Sequence, residues 1–161
     1  EALAGTNRAL MLVMPEAGEQ ANRDAQAVAQ CDGLKSLSDS GRAKAERIGA
    51  ALRDAGFGKA LVFTSPSCTA VQAGKALQLG SVDIQPLLQD LVKTSLSRNR
   101  QREEFGLFLA DFYGTQSIVL ITHRNNILDL SEHYIKAGNG IILRINLNGD
   151  VPKVLGIVQF E

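Results

Sequence analysis

The chain has 161 residues and balances 17 Lys and Arg against 17 Asp and Glu, with 45% hydrophobic and 21% charged residues. This composition excludes a disordered tail, a coiled coil and a collagen-like chain, and one domain over residues 1–161 is expected. The zero net charge argues against sequence-independent nucleic-acid binding, which needs a basic field, and no apolar run has the length of a membrane span.

Continuous apolar runs of strand length predict buried parallel strands, and alternating apolar and polar residues near the end of the chain predict a hairpin. In chain order, strands are expected at 9–14, 60–64, 82–84, 117–122, 141–147 and 153–160, with the hairpin turn at 148–150.

Helical spacing of apolar residues predicts helices between these strands, opening after Ser38 and then near 66–79, 97–113 and 125–135. Ser38 is a suitable N-cap, and Pro66 suits a first helical turn. Residues 15–37 have a loop composition. Alternating strands and helices predict a three-layer α/β fold, in which a mostly parallel sheet is flanked by helices and ligands bind beyond the carboxyl ends of the strands.

Two cysteines, Cys31 and Cys68, allow either one disulfide or two free thiols. A bridge between them should stabilise the fold by about 4 kcal/mol in the chain-entropy model. The first residue is Glu1, as expected if an export signal has been removed, although a chain trimmed for other reasons would begin the same way.

Three segments resemble one family. Residues 37–45 resemble the Leu-Ser-x-x-Gly-x-x-x-Ala helix opening of the histidine phosphatase superfamily, which has the phosphoglycerate-mutase-like fold. Residues 64–73 resemble its Ser-Ser-Pro-x-x-Arg-x-x-x-Thr-Ala helix start, and residues 121–127 its Val-Thr-His-x-x-x-Ile segment. The resemblance covers nearly the whole chain. The cysteine placement is similar to that of small exported bacterial members, which favours the Cys31–Cys68 bridge and a periplasmic or secreted protein.

The resemblance implies phosphoryl transfer through a phosphohistidine, with an Arg-His pair after the first strand, a second Arg and a second His. In this chain Pro15 and Glu16 stand at the Arg-His pair and Thr69 at the second Arg, so only His123 matches. Phosphoryl oxygens need surrounding cations. A carboxylate within about 4 Å of a phosphate costs roughly 4 kcal/mol at an effective dielectric of 20, so a phosphate monoester should bind poorly.

Other residues are weaker candidates for the pocket formed by Pro15, Glu16, Thr69 and His123. Glu16 and His123 should face one another, either as a neutralising ion pair or as an altered ligand site. Arg124 could lend a positive charge to the pocket or point to solvent, and Asp90 lies near the usual position of the family's general acid. His133 is expected on the surface of a helix. We expect no cofactor and no metal site, because the sequence shows no cluster of metal ligands.

Three functional hypotheses remain open from the sequence. The leading one is a catalytically inactive histidine-phosphatase-fold protein that binds a partner protein or a non-phosphate ligand in the cell envelope. The alternative is a phosphatase or hydrolase of altered chemistry that uses Glu16 and His123. The third, an ordinary enzyme whose motifs are misaligned here, needs a second histidine beside His123, and only His133 is available.

Overall fold

A computed structural model describes residues 7–14, 37–90, 97–114 and 117–160. They form one six-stranded sheet in the order β3-β2-β4-β1-β5-β6. Neighbours from β3 to β1 are parallel, while β5 pairs antiparallel with both β1 and β6. The strands are β1 Arg8–Val13, β2 Leu61–Thr64, β3 Val82–Ile84, β4 Ile118–Thr122, β5 Gly140–Arg144 and β6 Lys153–Val158. The predicted α/β sheet, mostly parallel with a closing hairpin, is confirmed.

Four α-helices flank the sheet in the described residues, together with a 3₁₀ helix at Pro86–Leu88 that the sequence pattern did not predict. They are α1 Asp39–Asp54, α2 Cys68–Ala76, α3 Arg98–Ala110 and α4 Arg124–Ser131. No described helix combines the length and the apolar content that a bilayer span requires.

The sheet is buried on both faces, which explains why its central strands are continuous apolar runs. One apolar cluster joins alternate strand residues such as Leu10 and Val62 to α1 and α2. The other joins the opposite face, including Met11 and Leu120, to α3 through Phe105. The two clusters are the interior faces of a three-layer domain.

Local capping sets the helix starts. The Ser38 hydroxyl accepts a hydrogen bond from the amide of Gly41 at 3.0 Å, as its N-cap prediction requires. The second helix starts later than predicted, because Ser67 caps it by accepting from the amide of Ala70 at 3.2 Å. Pro66 therefore precedes the cap and is not part of the first turn.

The fourth helix is shorter than predicted. It ends at Ser131, and Glu132 adopts a left-handed conformation with φ 61° that terminates it. A glycine or asparagine at this position would have predicted a left-handed helix end, whereas a glutamate does not. His133 therefore follows the helix, and its predicted helical position is wrong. The hairpin strands are also shorter than predicted, ending at Arg144 and Val158.

Candidate functional site

The candidate site lies at the carboxyl edge of two neighbouring parallel strands. Ser65 directly follows β2, and His123 directly follows β4. The two strands are paired, and the ladder continues one residue beyond β2 because the Ser65 amide donates to the Ile121 carbonyl at 2.9 Å. Side chains at the ends of adjacent parallel strands therefore meet, although these two residues are 58 positions apart.

A hydrogen bond joins these two side chains. The Ser65 hydroxyl oxygen lies 2.6 Å from Nε2 of His123. Ser65 is fully buried, whereas the His123 side chain keeps 13% of its surface exposed. The buried Ser65 hydroxyl thus holds one nitrogen of the imidazole, and part of the His123 side chain remains accessible to solvent.

The other imidazole nitrogen faces a carboxylate. Nδ1 of His123 lies 4.0 Å from Oδ2 of Asp90, which is an ion-pair distance and longer than a hydrogen bond. The second carboxylate oxygen of Asp90 accepts a hydrogen bond from Asn125 at 3.1 Å. The structure therefore brings together two residues that the sequence placed near one pocket, His123 and Asp90.

The segment that carries Asp90 is fastened to the start of α4. Nδ2 of Asn126 lies 3.2 Å from the Leu88 carbonyl oxygen and 2.9 Å from that of Gln89. The Thr122 hydroxyl donates to the same Leu88 carbonyl at 2.8 Å. These buried bonds set the separation between the carboxylate and the imidazole.

Solved structures share this architecture, although no protein-family model and no curated protein sequence matches the chain. Among solved structures, the protein histidine phosphatase SixA complexed with tungstate is similar, with TM-score 0.67 and 13% identity over 94% of this chain and 96% of that one. The chain has the histidine-phosphatase fold.

Two further structures support the same fold. Rv3214 from Mycobacterium tuberculosis aligns with TM-score 0.66 and 15% identity, covering 96% of this chain and 98% of its own. The H9A mutant of a phosphoserine phosphatase from Entamoeba histolytica, in complex with phosphoserine, aligns with TM-score 0.63 and 12% identity, covering 94% and 96%. At these identities the likeness establishes the fold alone.

Within the histidine-phosphatase fold, Thr69 occupies the first turn of α2 and is 3% exposed. The motif resemblance aligns Thr69 with an arginine at the start of the helix that follows Ser65, and this alignment stays a prediction. A threonine hydroxyl is neutral and short, so it cannot supply the charged, forked donor of a guanidinium.

Arg124, the first residue of α4, is held by residues that follow that helix. Its Nε donates to the Ile135 carbonyl at 3.0 Å, and its guanidinium lies 4.6 Å from the centre of the Tyr134 ring. These contacts are a cation–π pair and a backbone bond. They direct the Arg124 charge toward the segment after α4, and a ligand role for Arg124 stays a prediction.

Two further arginines of the described residues are paired with carboxylates. Arg102 forms a two-pronged pair with Asp129, with both distances 2.8 Å. On the exposed start of α3, the hydrogen bond from Arg100 to Glu104 raises the pKa of the guanidinium. The Arg100–Glu104 pair is an i,i+4 pair on an exposed helix surface, whereas the Arg102–Asp129 pair joins α3 to α4, and both guanidinium groups have a carboxylate partner.

Three residues of the predicted site lie outside the described residues: Pro15, Glu16 and Cys31. The expected pairing of Glu16 with His123, the alternative reaction through Glu16 and the irregular loop over most of 15–37 therefore stay predictions. Cys68 is 2% exposed at the start of α2 and is not a free thiol.

Ser65 is the site residue that the sequence reasoning missed. Its local signals were its place directly after a buried strand and its match to the second serine of the Ser-Ser-Pro motif. The contact that makes it a candidate is with His123, far along the chain, and no local pattern encodes it. His133 is exposed beyond the end of α4, where its amide donates to the Ser131 hydroxyl. Within the described ranges, no group of three or more His, Cys, Asp or Glu side chains could hold a metal ion.

Proposed function

We propose that this histidine-phosphatase-fold protein does not hydrolyse phosphate monoesters, and that its altered pocket binds a partner protein or a non-phosphate ligand in the cell envelope. The observation that carries the proposal is the surroundings of His123. Its two nitrogens face the Ser65 hydroxyl and the Asp90 carboxylate. In support, the motif resemblance aligns the buried Thr69 with an arginine.

Electrostatics explains why this set is unsuited to a phosphate dianion. A charge-assisted hydrogen bond from an arginine contributes about 1.5–3 kcal/mol, which is lost where Thr69 replaces it. That loss is roughly a tenfold to hundredfold weakening of affinity.

The envelope location rests on the cysteines. We propose that Cys68 is bonded to Cys31, since the chain has two cysteines and Cys68 is not a free thiol. Disulfides persist in oxidising compartments such as the periplasm and the cell exterior. Maleimide labelling of the denatured protein should fail before reduction and modify both cysteines after it. Labelling without reductant, in protein recovered directly from cells, would contradict this part of the proposal.

The phosphatase part is tested by activity and by anion binding. Purified protein should release no p-nitrophenol from p-nitrophenyl phosphate above the level of its His123→Ala variant. Calorimetric titration with tungstate should show no binding at millimolar concentration. Turnover that disappears in His123→Ala would overturn the proposal.

A gain-of-binding variant makes the test two-sided. Thr69→Arg restores the motif guanidinium, and Thr69→Gln is its uncharged control of similar length. If the missing cation is what excludes phosphate, Thr69→Arg should bind tungstate at least tenfold more tightly than Thr69→Gln. Equal affinities in two folded variants would show that the pocket is closed to oxyanions for another reason.

A further inference from the structure

We propose that Ser65 is a nucleophile activated by His123 and oriented by Asp90, and that the site hydrolyses small, uncharged carboxylic esters. This inference rests on the proposed function, because it names a non-phosphate substrate for the same pocket. It assigns chemistry to Ser65, a residue that has no cationic or nucleophilic role in the three motifs that relate this chain to the family.

The nucleophile–base contact is already formed. An oxygen–nitrogen separation of 2.6 Å lets the Ser65 hydroxyl donate its proton to Nε2 of His123. A serine hydroxyl is a weak nucleophile on its own and becomes effective when an adjacent base removes its proton during attack. With Nε2 as the acceptor, the ring carries its proton on Nδ1, the nitrogen that faces Asp90.

Asp90 acts as a positioning residue for the imidazole. Its Oδ2 lies 4.0 Å from Nδ1, and its Oδ1 is held by Asn125. A carboxylate here favours the tautomer with the proton on Nδ1 and stabilises the imidazolium that forms during attack. The contact is longer than a hydrogen bond, as is common for catalytic groups before a substrate is bound.

The backbone beside Ser65 supplies an electropositive environment. The Ser67 amide is directed at the Ser65 hydroxyl oxygen at 3.5 Å, and α2 begins one residue later. The amino end of a helix carries a partial positive charge, which favours the oxyanion of an acyl-transfer intermediate. The serine and its base are thus within hydrogen-bond distance, the carboxylate lies at ion-pair distance from the base, and a helix start lies next to the serine.

The reaction proceeds in two balanced steps. The Ser65 oxygen forms a bond to the ester carbonyl carbon while His123 takes its proton, and the carbon–oxygen bond to the alcohol breaks as His123 returns that proton to the leaving group. Water then attacks the carbonyl carbon of the acyl-enzyme while His123 takes the water proton. The bond between that carbon and the Ser65 oxygen breaks, His123 returns the proton to Ser65, and the free acid is released. No metal or redox partner is needed.

Burial and charge define the substrate class. Ser65 has no exposed surface and the His123 side chain is 13% exposed, so a substrate would have to reach the serine past the edge of the imidazole, which favours a short acyl group. Asp90 disfavours an anionic substrate near the imidazole. Acetate and propionate esters should therefore react faster than long-chain esters or esters of dicarboxylic acids.

The first test is covalent. The folded protein is incubated with a fluorophosphonate probe and with p-nitrophenyl acetate, and the adducts are mapped by mass spectrometry of peptides. The expected result is one modified serine, Ser65, and labelling that short-chain esters compete away. Modification only of surface lysines, or of no serine, would overturn the proposal without requiring any variant to fold.

The second test uses variants. Ser65→Ala and His123→Ala should lower the rate of acetate ester hydrolysis about a hundredfold or more, while Ser97→Ala, at the exposed cap of α3, should not change it. Asp90→Asn should lower kcat about tenfold or more with little change in KM, and Asp90→Glu should recover part of it. Equal rates in wild-type protein and folded Ser65→Ala would overturn the assignment.

The two proposals fail in different ways. Phosphate monoester turnover that requires His123 would refute the proposed function. Absence of both phosphate turnover and Ser65 labelling would refute only the acyl-transfer assignment and leave the binding function in place.

Discussion

Removing the hydroxyl group from each of two adjacent residues at the end of β2 should change the free energy of unfolding in opposite directions. Thr64 and Ser65 both have 0% exposed surface. The Ser65 hydroxyl is bonded to His123, whereas the Thr64 hydroxyl has no hydrogen-bond partner among the described residues. An unpaired buried hydroxyl costs about 1–3 kcal/mol of desolvation, and a paired one contributes about 1 kcal/mol.

The variant Thr64→Val removes the unpaired hydroxyl while keeping the side-chain volume. The methyl group of Thr64 already packs toward α2, where a Cβ added to Gly74 would lie 2.7 Å from it. We expect Thr64→Val to raise the free energy of unfolding by about 1 kcal/mol, which is roughly 2–4 °C in Tm for a domain of this size. Ser65→Ala should lower it by about 1–2 kcal/mol, because Nε2 of His123 loses its partner.

Urea unfolding followed by far-ultraviolet circular dichroism measures both variants, since the chain contains no tryptophan for fluorescence. The slope of the transition should stay constant, so that the midpoint reports stability alone. Thr64→Ser is the control that keeps the hydroxyl and removes the methyl, and it should be destabilising. If Thr64→Val were as destabilising as Ser65→Ala, the Thr64 hydroxyl would be hydrogen-bonded and the reasoning would be wrong.

Three further variants test packing and covalent structure. Gly49→Ala places a Cβ 2.1 Å from the Leu77 carbonyl oxygen and should lower stability by about 2–3 kcal/mol, whereas Gly58→Ala meets nothing within 4 Å and should be neutral by calorimetry. Asn126→Ala removes the buried hydrogen bonds to the Leu88 and Gln89 carbonyls and should lower the urea midpoint by the equivalent of about 2 kcal/mol. An unchanged midpoint would show that these bonds do not stabilise the fold. Reductant should lower the Tm of wild-type protein but not of Cys68→Ser, and an equal response in both would exclude the disulfide.

Much of the fold was predictable because the sheet is buried on both faces. Such strands cannot alternate polar and apolar residues, so β1, β2 and β4 stand out as continuous apolar runs between polar segments. Helix ends were less predictable. The end of α4 is set by the left-handed Glu132, and the start of α2 by Ser67 rather than Pro66. Neither position stands out in the sequence as a helix boundary.

The candidate site was predictable only in part. The motif resemblance located His123, and Asp90 through the expected place of an acid, but it gave no distance between them. Ser65 was missed because its significance depends on strand pairing: β2 must lie beside β4 for its last residue to contact the imidazole. Pairing of strands that are distant along the chain is a tertiary property.

The sheet order also explains how this fold can lose one chemistry and support another. β2 and β4 are fixed beside each other by core packing, and the 3₁₀ helix after β3 is fastened by Asn126. This framework holds the Ser65 hydroxyl within hydrogen-bond distance of the His123 imidazole and the Asp90 carboxylate at ion-pair distance from it. Under the proposed function, a threonine in place of the motif arginine weakens the attraction for phosphate but leaves that spacing intact. The framework therefore fixes the positions of the reacting groups, and a few side chains at the strand ends determine which electrophile can approach them.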